Sequence, residues 1–429
     1  MTEQMNVPKL RFGEFKDHVA KPKKLGQLVD MRSGNTPSKS NPKFWEGTIP
    51  WISASSMKGN VFSESEQNVT QLALENGAKL ATKGSILLLV RGSMLFNKIP
   101  VGFAGCDVTY NQDVKAINLK SGDDNSYLFH WFKANEYRLL SMVTGTGIGA
   151  GKLDSDELLS LPFHQPKPAE QQKIVSFLSK VDEKITLLTE KKNKLTEYKK
   201  GVMQQLFNGS FQEQGGQLTF IPPTLRFKAD DGSEFPDWEE RKLGELGQFK
   251  NGLNKGKEDF GFGSPFVNLQ DVFGKQVISS TSNLGLVNAS DKDIDLYQLL
   301  KGDVIFIRSS VKKSGVGETA LVEKNLVKTV YSGFLIRFRS NTDLTDNYKK
   351  YCFWEKRFRN KLIAMSTTSA NTNINQESLS QLTIPCPSQD EQTKIANFLS
   401  SIDQKIDLVS SELEKTKEWK KGLLQQMFV

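Results

Sequence analysis

A glycine-rich segment near residue 150 is the part of the sequence whose composition most suggests chemistry. Residues 144–152 read TGTGIGAGK, and a glycine-rich loop that ends in lysine can bind the phosphates of a nucleotide. A P-loop, however, needs glycine where Thr146 stands and a serine or threonine where Leu153 follows the lysine. The segment also follows an aromatic stretch rather than a strand, which disfavours a dinucleotide site. A flexible surface loop is the simpler interpretation, and a nucleotide site is the alternative.

Other catalytic or metal-binding patterns are weaker still. His18, His130 and His164 have no spacing typical of a metal site or a catalytic triad. The three cysteines are scattered, which fits a reducing compartment and argues against a zinc ribbon or a disulfide framework. No amino-methyltransferase motif is present, since Thr224 follows the only Pro-Pro pair. We therefore predict a non-catalytic chain with no metal site and no cofactor.

Charge and hydropathy limit the class of protein further. The formal net charge of +8 suits a polyanionic partner, although many basic proteins bind no nucleic acid. The first ten residues lack the apolar core of a signal peptide. The longest aliphatic run, ILLLV, is far shorter than the ~20 residues that span a bilayer. These features predict a cytoplasmic protein.

The strongest regularity in the sequence is an internal duplication. Residues 170–208 align without gaps to residues 391–429, and 19 of the 39 aligned pairs are identical. Both stretches carry ten consecutive positions in a 4-3 spacing, eight of them apolar, which is the pattern of a coiled coil. At a rise of about 1.5 Å per residue, each stretch predicts a helix of about 58 Å. Two matched helices in one chain are expected to pair with each other; a homo-oligomeric coiled coil is the alternative.

The duplication continues more weakly outside these helices. The pentapeptide KLGQL at Lys24 recurs as KLGEL at Lys242, and the runs ILLLV at Ile86 and VIFI at Val304 predict buried strands. Aromatic-rich stretches predict helices at residues 127–143 and 347–365. We therefore predict an α+β fold in which two mixed α/β domains are separated by two long antiparallel coiled-coil helices, with an internal pseudo-twofold repeat. The helices are alike and the domains differ, which suits a scaffold that reads two different things at a fixed separation.

Several motifs carry a resemblance to a known family. The segment SGNTPS at Ser33, followed by NPKFW and IPWI, looks like the opening of a target-recognition domain. EQQKI at Glu170 and EQTKI at Glu391, each leading into a long helix, look like the conserved regions of the same family. The chain thus resembles the specificity subunit of a Type I restriction–modification system. The second domain departs from the pattern, because KNGLNK at Lys250 stands where the first has RSGNTP at Arg32.

The resemblance implies a division of the chain and a set of partners. It implies that each domain reads one half of a bipartite site in double-stranded DNA. Two modification subunits would methylate adenine with S-adenosylmethionine, and two motor–nuclease subunits would translocate and cleave DNA. The divisions are target-recognition domain 1 at residues 1–165, the central helix at 166–208, a linker at 209–224, target-recognition domain 2 at 225–387 and the distal helix at 388–429.

The residues expected to contact DNA are lysines, arginines and small polar side chains near strand ends and loops. Arg91 and Arg308 each follow a predicted buried strand, and arginine can bind guanine O6 and N7 together; a structural ion pair is the alternative. Trp45, Trp51, Phe266 and Phe306 are expected in the core rather than stacked on bases. The full set of predicted DNA contacts is Arg32, Ser33, Asn35, Thr36, Ser53, Lys58, Arg91, Ser93, Asn111, Gln112, Thr144, Thr146, Lys152, Lys250, Asn251, Lys255, Lys257, Asn268, Gln270, Arg308, Ser309, Lys312, Lys313, Ser369, Asn371 and Asn373.

The partner subunits are expected on the long helices. Phenylalanines outside the heptad positions predict an exposed partner surface, and they are Phe177, Phe207, Phe398 and Phe428. Lys199 and Lys420 occupy equivalent heptad positions, 221 apart. They are either solvated at the helix ends or covered by partner subunits.

Two other classes of protein stay open at this point. A coiled-coil adaptor whose domains bind protein or polysaccharide would share the duplicated helices. A standalone methyltransferase or nuclease would need the catalytic motifs that the sequence lacks. Salt-sensitive binding to duplex DNA separates a DNA-binding protein from an adaptor.

Overall fold

The computed structural model describes residues 8–16, 21–147, 149–214, 217–341, 343–368 and 371–428. The chain divides into two compact units, and each is described separately. Unit 1 contains residues 1–189 and 411–429, and unit 2 contains residues 190–410. No helix among the described residues is both long and apolar enough to cross a membrane.

Unit 1 is a mixed α/β domain with a segment of each long helix. Its helices are α1 (Leu25–Leu28), α2 (Gln71–Glu75), α3 (Ser126–Ala134), α4 (Glu136–Ser141), α5 (Ser155–Ser160) and the first part of α6 (Pro168–Leu206). Its strands are β1 (Lys23–Lys24), β2 (Val29–Ser33), β3 (Trp45–Ile52), β4 (Val61–Phe62), β5 (Asn68–Val69), β6 (Leu80–Ala81), β7 (Ile86–Leu89), β8 (Arg91–Gly92), β9 (Val101–Ala104), β10 (Val108–Tyr110), β11 (Val114–Leu119), β12 (Thr144–Gly145), β13 (Gly151–Lys152) and β14 (Pro162–Phe163).

Unit 2 is built of the same kinds of elements. Its strands are β15 (Ser210–Gln214), β16 (Gln217–Ile221), β17 (Glu239–Lys242), β18 (Gly247–Asn251), β19 (Phe260–Val267), β20 (Val277–Ile278), β21 (Gly285–Val287), β22 (Val304–Ile307), β23 (Ser309–Ser310), β24 (Thr319–Val322), β25 (Val330–Tyr331), β26 (Leu335–Ser340), β27 (Thr367–Thr368), β28 (Thr372–Asn373) and β29 (Thr383–Cys386). Its helices are α7 (Leu243–Leu246), α8 (Leu269–Val272), α9 (Asp291–Tyr297), α10 (Asp346–Cys352), α11 (Lys356–Ala364), α12 (Gln376–Gln381) and the first part of α13 (Gln389–Met427).

The two domains share one topology. The five-stranded sheet of unit 1 has the order β2-β11-β7-β9-β4, and that of unit 2 has the order β18-β26-β22-β24-β20. In both sheets the central strand, β7 or β22, is buried along its whole length, as predicted from the aliphatic runs. The last pair is parallel in both sheets, and the other pairs are antiparallel. The duplication therefore extends through the domains, although their sequences have diverged.

The predicted aromatic-rich helices are each broken into two. In unit 1 the break lies at Asn135, whose side-chain amide donates to the carbonyl of Trp131 and ends α3. In unit 2 the break ends at Glu355, whose carboxylate accepts from the backbone N–H groups of Arg357 and Phe358 and begins α11. Side-chain capping at these two places explains why one long helix does not form in either domain.

The long helices have the predicted length and spacing. Both α6 and α13 contain 39 residues, and their first residues, Pro168 and Gln389, are 221 apart (389 − 168). Within unit 1 the two helices run antiparallel, because Asp182 pairs with Lys420 and Lys184 pairs with Glu412. The heptad positions of both helices are largely buried, as the coiled-coil pattern requires.

Lys199 and Lys420 have equivalent partners inside their own units. The ammonium group of Lys199 lies 2.5 Å from the carboxylate of Asp403 in unit 2, and Lys420 pairs with Asp182 in unit 1. The two pairs correspond, because both 420 − 199 and 403 − 182 equal 221. Solvation at the helix ends is therefore wrong for both lysines, because each forms an ion pair across the helix pair and is largely buried. Coverage by partner subunits stays a prediction.

A second repeated contact holds the segment that precedes each domain. Arg11 forms two hydrogen bonds, of 2.9 and 2.7 Å, with the carboxylate of Glu170, and Arg226 forms the same pair, of 3.1 and 2.7 Å, with Glu391. Both carboxylates are buried, so this bidentate geometry compensates for their loss of hydration. The pKa of each guanidinium is raised by its hydrogen bonds to the glutamate.

The segment expected to be a linker contains a β-hairpin in unit 2. Strands β15 and β16 pair antiparallel, with Phe211 opposite Phe220. The Arg357 guanidinium lies over both rings, 4.6 and 5.6 Å from their centroids, and donates to the carbonyl of Gly209. Aromatic residues at facing positions therefore turn a glycine-containing segment into regular structure.

Candidate nucleic-acid interface

Three strands of the five-stranded sheet in unit 1 meet at one edge. Strands β2 and β7 end there, at Ser33 and Leu89, and β11, which lies between them, begins there at Val114. Because β11 is antiparallel to both neighbours, the segments 34–36, 90–93 and 111–113 lie side by side. We call this place the first strand-end edge.

Unit 2 has an equivalent second strand-end edge. Strands β18 and β22 end there, and β26 begins there at Leu335. The segments 252–254, 308–310 and 332–334 therefore occupy the places of 34–36, 90–92 and 111–113 in unit 1. The fold brings together residues that are far apart in the sequence in the same way twice.

Close backbone contact explains one glycine at each edge. A Cβ atom on Gly34 would lie 2.2 Å from the carbonyl oxygen of Tyr110, and one on Gly252 would lie 2.1 Å from that of Ser332. The next residue in each segment donates its N–H across the same contact, Asn35 to Tyr110 and Leu253 to Tyr331. These glycines hold the end of β2 or β18 against the segment that precedes β11 or β26.

A small three-stranded sheet adjoins each edge. In unit 1 it has the order β12-β13-β8, and in unit 2 the order β23-β28-β27. The two ends of the glycine-rich segment are thus short strands, Thr144–Gly145 and Gly151–Lys152, which pair with each other, and the second also pairs with Arg91–Gly92. The polar segment of unit 2 that follows α11 takes the same role beside Ser309–Ser310.

Arg91 and Arg308 do not occupy equivalent positions, which corrects the prediction. Leu153 donates its N–H to Val90, whereas Ile374 donates to Arg308, so Arg308 corresponds to Val90 and Ser309 to Arg91. Since successive side chains of a strand point to opposite faces, this shift of one residue places the two guanidiniums on opposite faces of matching strands. Arg91 is exposed, and Arg308 is half-buried with Nη1 3.4 Å from the carbonyl oxygen of Gly333.

Of the other residues predicted in unit 1, Ser33, Thr36 and Gln112 lie at the first strand-end edge, and many of the set have internal partners. The Thr36 hydroxyl donates to the Gln112 side chain at 2.8 Å, and Arg32 pairs with Asp30 at 2.7 Å while both stay exposed. Further polar contacts join Ser33 to Lys115, Ser53 to Ser55, Thr144 and Thr146 to main-chain carbonyls, and Lys152 to Asp154. Lys58 and Ser93 are exposed on neighbouring loops.

Two predicted amides are used within unit 1. The Asn35 side chain donates to the carbonyl of Gly77 and accepts from the N–H of Lys79. Asn111 is only 7% exposed, and its side-chain oxygen accepts from the backbone N–H of Asp113. Both amides shape the loops at the edge.

Of the residues predicted in unit 2, Asn251, Ser309 and Asn373 lie at the second strand-end edge or in the small sheet beside it. Lys250 lies over the ring of Tyr297 at 5.1 Å, and Lys255 pairs with Asp293 at 3.0 Å, which lowers the pKa of that carboxyl. Asn268 caps α8, whereas Asn251, Ser309 and Asn373 are half-exposed and Lys257, Gln270, Lys312, Lys313 and Asn371 are exposed. Ser369 lies outside the described residues.

A cavity of about 220 Å³ opens beside Arg308. Its other lining residues include Thr367, Asn373 and Asn375, which come from the small sheet and the start of α12. An arginine, a hydroxyl and two amides offer both donors and acceptors in one recess, which is the set of groups that can read base edges.

The aromatic residues expected in the core are there. Trp51, Phe266 and Phe306 are buried, which confirms the prediction for these three. Trp45 is half-buried and meets Trp51 edge to face, with ring centroids 5.4 Å apart.

The prediction that the four phenylalanines of the partner surface are exposed is wrong. Phe207 is 1% and Phe428 6% exposed, because each closes the core of its own unit against tyrosine rings. Phe177 and Phe398 are half-buried, and each packs on a phenylalanine of the segment preceding its domain, Phe12 or Phe227. A position outside the heptad spacing is therefore not always a solvent-exposed position.

The exposed apolar residues of the long helices are a different set. Leu187 and Leu408 are exposed and lie 221 residues apart, and so are Tyr198 and Trp419. The repeat offset was a signal that could have identified them from the sequence, since both members of each pair are large, apolar and outside the heptad positions.

The sequences of the two domains both match the model of one known protein family. The family model described as the Type I restriction modification DNA specificity domain matches residues 20–197 and again residues 236–418. The chain belongs to this family. The two matches correspond to the two repeats and together cover most of the sequence.

Curated relatives carry the same description. The Type I restriction enzyme EcoR124I/EcoR124II specificity subunit of Escherichia coli is 31% identical over 199 residues, which are 44% of this chain and 49% of that protein. The MjaIX specificity subunit of Methanocaldococcus jannaschii is 28% identical over 68% of this chain and 67% of its own length. The MjaVIII specificity subunit of the same organism is 23% identical over 94% of this chain and 90% of its own. The first alignment therefore spans about half of that relative.

Solved structures of this family share the fold. The S subunit of the Type I restriction–modification system from M. genitalium superimposes with a TM-score of 0.53 at 17% identity, covering 99% of both chains. A chain from a study of complex assembly and conformational transition of the Type I system gives a TM-score of 0.57 at 15% identity, covering 95% of this chain and 97% of that one. These likenesses support the α+β repeat architecture.

Proposed function

We propose that this chain is the non-catalytic specificity subunit of a Type I restriction–modification complex, in which each domain reads one half of a bipartite DNA site. One observation carries the proposal: two domains whose five-stranded sheets have the same order present equivalent strand-end edges that differ in side chains. A shared backbone with different side chains is what two readers of different sequences require. The family membership supports the choice of DNA as the ligand.

Each edge offers groups of two kinds. Exposed cations such as Lys58, Lys312 and Lys313 suit the phosphate backbone, which contributes affinity without sequence information. Arg91 at the first edge, and Arg308 with Asn373 at the second, suit base edges, where arginine prefers guanine and asparagine prefers adenine. Because these side chains differ between the edges, the two half-sites are expected to differ in sequence.

The long helices serve as spacer and docking surface in this proposal. Half-sites read from one face of DNA lie about 34–36 Å apart, or a multiple of that distance. A helix of 39 residues, about 58 Å long, can hold two readers at such a spacing. The repeated exposed pairs, Leu187 with Leu408 and Tyr198 with Trp419, suit two copies of one partner, the modification subunit.

Catalysis is assigned to the partners. Modification subunits would supply S-adenosylmethionine-dependent methylation of adenine, and motor–nuclease subunits would supply ATP-dependent translocation and cleavage. Support comes from the name of the relatives, which are specificity subunits, and from a structural relative in a study of Type I complex assembly. This chain would contribute target choice alone.

The proposal is tested by methylation-aware sequencing of a genome that carries the gene together with its modification partner. We expect one bipartite methylated sequence that disappears when the gene for this chain is removed. Binding of the purified complex to a duplex with that sequence should weaken steeply as salt is raised, because cation–phosphate contacts release counterions. Salt-insensitive binding, or capture of a polysaccharide in place of DNA, would favour an adaptor instead.

A further inference from the structure

A tight turn at the second strand-end edge presents an exposed phenylalanine. The turn spans residues 332–335, between β25 and β26, and Phe334 at its tip is 60% exposed. Most phenylalanine side chains are buried in folded proteins, because removing their apolar surface from water stabilises the fold. None of residues 332–335 is among the predicted DNA contacts.

The backbone of this turn is fully held. Phe334 donates its N–H to the Ser332 hydroxyl at 3.3 Å and accepts the N–H of Arg308 at 2.9 Å. Leu335 donates back to the carbonyl of Ser332 at 2.9 Å, and Gly333 donates to that of Leu253 at 2.9 Å. The side chain of Phe334 is therefore presented from a rigid base beside Arg308.

The first strand-end edge has the same turn with a different side chain at its tip. Asp113 donates its N–H to the Asn111 side chain at 3.2 Å and accepts the N–H of Val90 at 2.8 Å. Val114 donates back to the carbonyl of Asn111 at 3.2 Å. Residues 111–114 thus repeat the hydrogen bonds of 332–335, and position 113 of the first domain corresponds to 334 of the second.

We propose that Phe334 contacts the 5-methyl group of a thymine in the half-site of the second domain and so recognises that base. This inference rests on the proposed function. The methyl group is the apolar feature of the major-groove edge, and phenylalanine is one of the side chains that contact it. Arg308, whose backbone holds the turn, lies next to Phe334 and offers polar readout of a neighbouring base. At the matching position the first domain has a carboxylate, which accepts from an amino group and offers nothing to a methyl group.

The test removes that methyl group from the DNA and the ring from the protein. Binding of the wild-type complex with its modification subunit is measured on a duplex that carries the methylated sequence found for it. Each thymine of the two half-sites is replaced in turn by uracil. We expect one thymine in one half-site at which uracil weakens binding by about fourfold, the effect of losing one buried methyl contact. With Phe334→Ala, thymine and uracil at that place should bind equally.

Phe262→Ala is the matched control. Phe262 is 52% exposed in the same domain, but it lies on β19 five residues from Val267, the end of that strand that bonds to Ser332. The control should keep the wild-type sensitivity to uracil, and both variants should unfold at the wild-type temperature because both rings are largely exposed.

Each possible outcome decides the proposal. Uracil sensitivity that persists in Phe334→Ala would overturn it, and so would a uniform loss of affinity for all duplexes, which would indicate insertion between bases. A half-site without thymine would overturn it as well. In these cases the wild-type complex still reads a bipartite site and the proposed function stands, whereas a wild-type complex with no defined target would overturn the proposed function itself.

Discussion

For single residues, the number of positions between the buried strand and the arginine decides on which face the guanidinium is presented. Arg91 and Arg308 follow similar aliphatic strands, but they differ by one position in the aligned hydrogen-bond pattern. The shift reverses the face on which each guanidinium lies. The two domains therefore differ in the position of the reading groups as well as in their identity.

Arg308→Ala is expected to relax recognition of one half-site only. The guanidinium lines the cavity beside the small sheet, so its loss should cost about 1–3 kcal/mol of discrimination at one base pair. Methylation-aware sequencing of cells carrying the variant measures the change. Arg91→Ala is the matched variant and should alter the other half-site; equal loss at both half-sites in either variant would contradict a separate reader in each domain.

His130 makes the stability of unit 1 sensitive to acid. Burial, followed by the nearby Lys420 ammonium, lowers the pKa of His130 to about 4. Below about pH 6.5 the imidazole of His130 binds a proton in the unfolded chain but stays neutral in the folded chain. The free energy of unfolding is therefore highest above that pH and falls as the pH drops toward 4. The loss over this range should reach about 3 kcal/mol.

Chemical unfolding at pH 7 and pH 4.5 measures this dependence. His130→Phe should remove most of the acid-induced loss, because the ring has no titrating group and the Nδ1 of His130 has no hydrogen-bond partner in the described part of the chain. Tyr127→Phe, in the same helix, is the control and should keep the wild-type dependence. An unchanged pH dependence in His130→Phe would show that other groups cause it.

At the scale of elements, the repeated helices reuse one set of contacts. The pairs Lys199–Asp403 and Lys420–Asp182 lie at equivalent places, and Tyr127 and Tyr348 donate equivalent hydroxyl hydrogen bonds to the carbonyls of His164 and Pro385. Polar contacts at defined heptad positions allow one antiparallel register and penalise others, since a displaced register leaves buried charges unpaired. The helix pairing is thus specified twice by the same residues.

Truncation of the exposed apolar helix residues is expected to weaken docking of the modification subunit. Replacing Leu187, Tyr198, Leu408 and Trp419 with alanine should reduce affinity at least about tenfold, because losing central aromatic anchors costs ~2 kcal/mol or more. The unfolding free energy should change by only about 0.5 kcal/mol per site, since all four are exposed. Titration calorimetry with the purified partner measures the affinity.

A matched control uses exposed polar positions with the same offset. Glu183 and Gln404 are exposed and 221 apart, and their alanine variant should bind the partner as the wild type does. Unchanged binding by the apolar variant would move the docking surface elsewhere.

At the scale of the whole molecule, the repeat has a centre that suggests where to alter it. The ion-paired residues sum to 602 in both units (199 + 403 and 182 + 420), and the repeat offset is 221. The two relations together give the midpoint of the repeat as close to Glu190 in one helix and Ser411 in the other, where the chain also passes from one unit to the other. Insertions at these two points leave every described ion pair between the helices intact.

One heptad inserted after Glu190 and another after Ser411 should lengthen the spacer of the target. Seven residues add about 10 Å to each helix, which corresponds to about three base pairs. Methylation-aware sequencing should show both half-site sequences unchanged and their separation increased. Seven-residue insertions of the same composition in the hairpin between β15 and β16 are the control; an unchanged separation in the helix variant would refute the helices as the spacer.

The periodic and repeated features of this protein follow from its amino-acid sequence. The constant offset of 221 and the 4-3 apolar spacing predicted both long helices, because helix formation and coiled-coil packing depend on local periodicity. The aliphatic runs predicted β7 and β22 because a strand buried on both faces needs apolar side chains throughout. The glycine-rich segment lacks the glycine and the serine or threonine that a P-loop needs, and this follows from the identity of two residues.

The tertiary structure decided which residues share an edge and which are exposed. Only the sheet order brings Gly34, Arg91 and Asn111 to one edge, because strand pairing joins segments distant in the sequence. The burial of Phe207 and the ion pair of Lys199 likewise depend on the elements that pack against each helix. The periodicity of the helix itself does not specify those neighbours. The hydrogen bonds of Val90 and Arg308 match, so Arg91 and Arg308 are offset by one residue on strands of the same pairing register and lie on opposite faces.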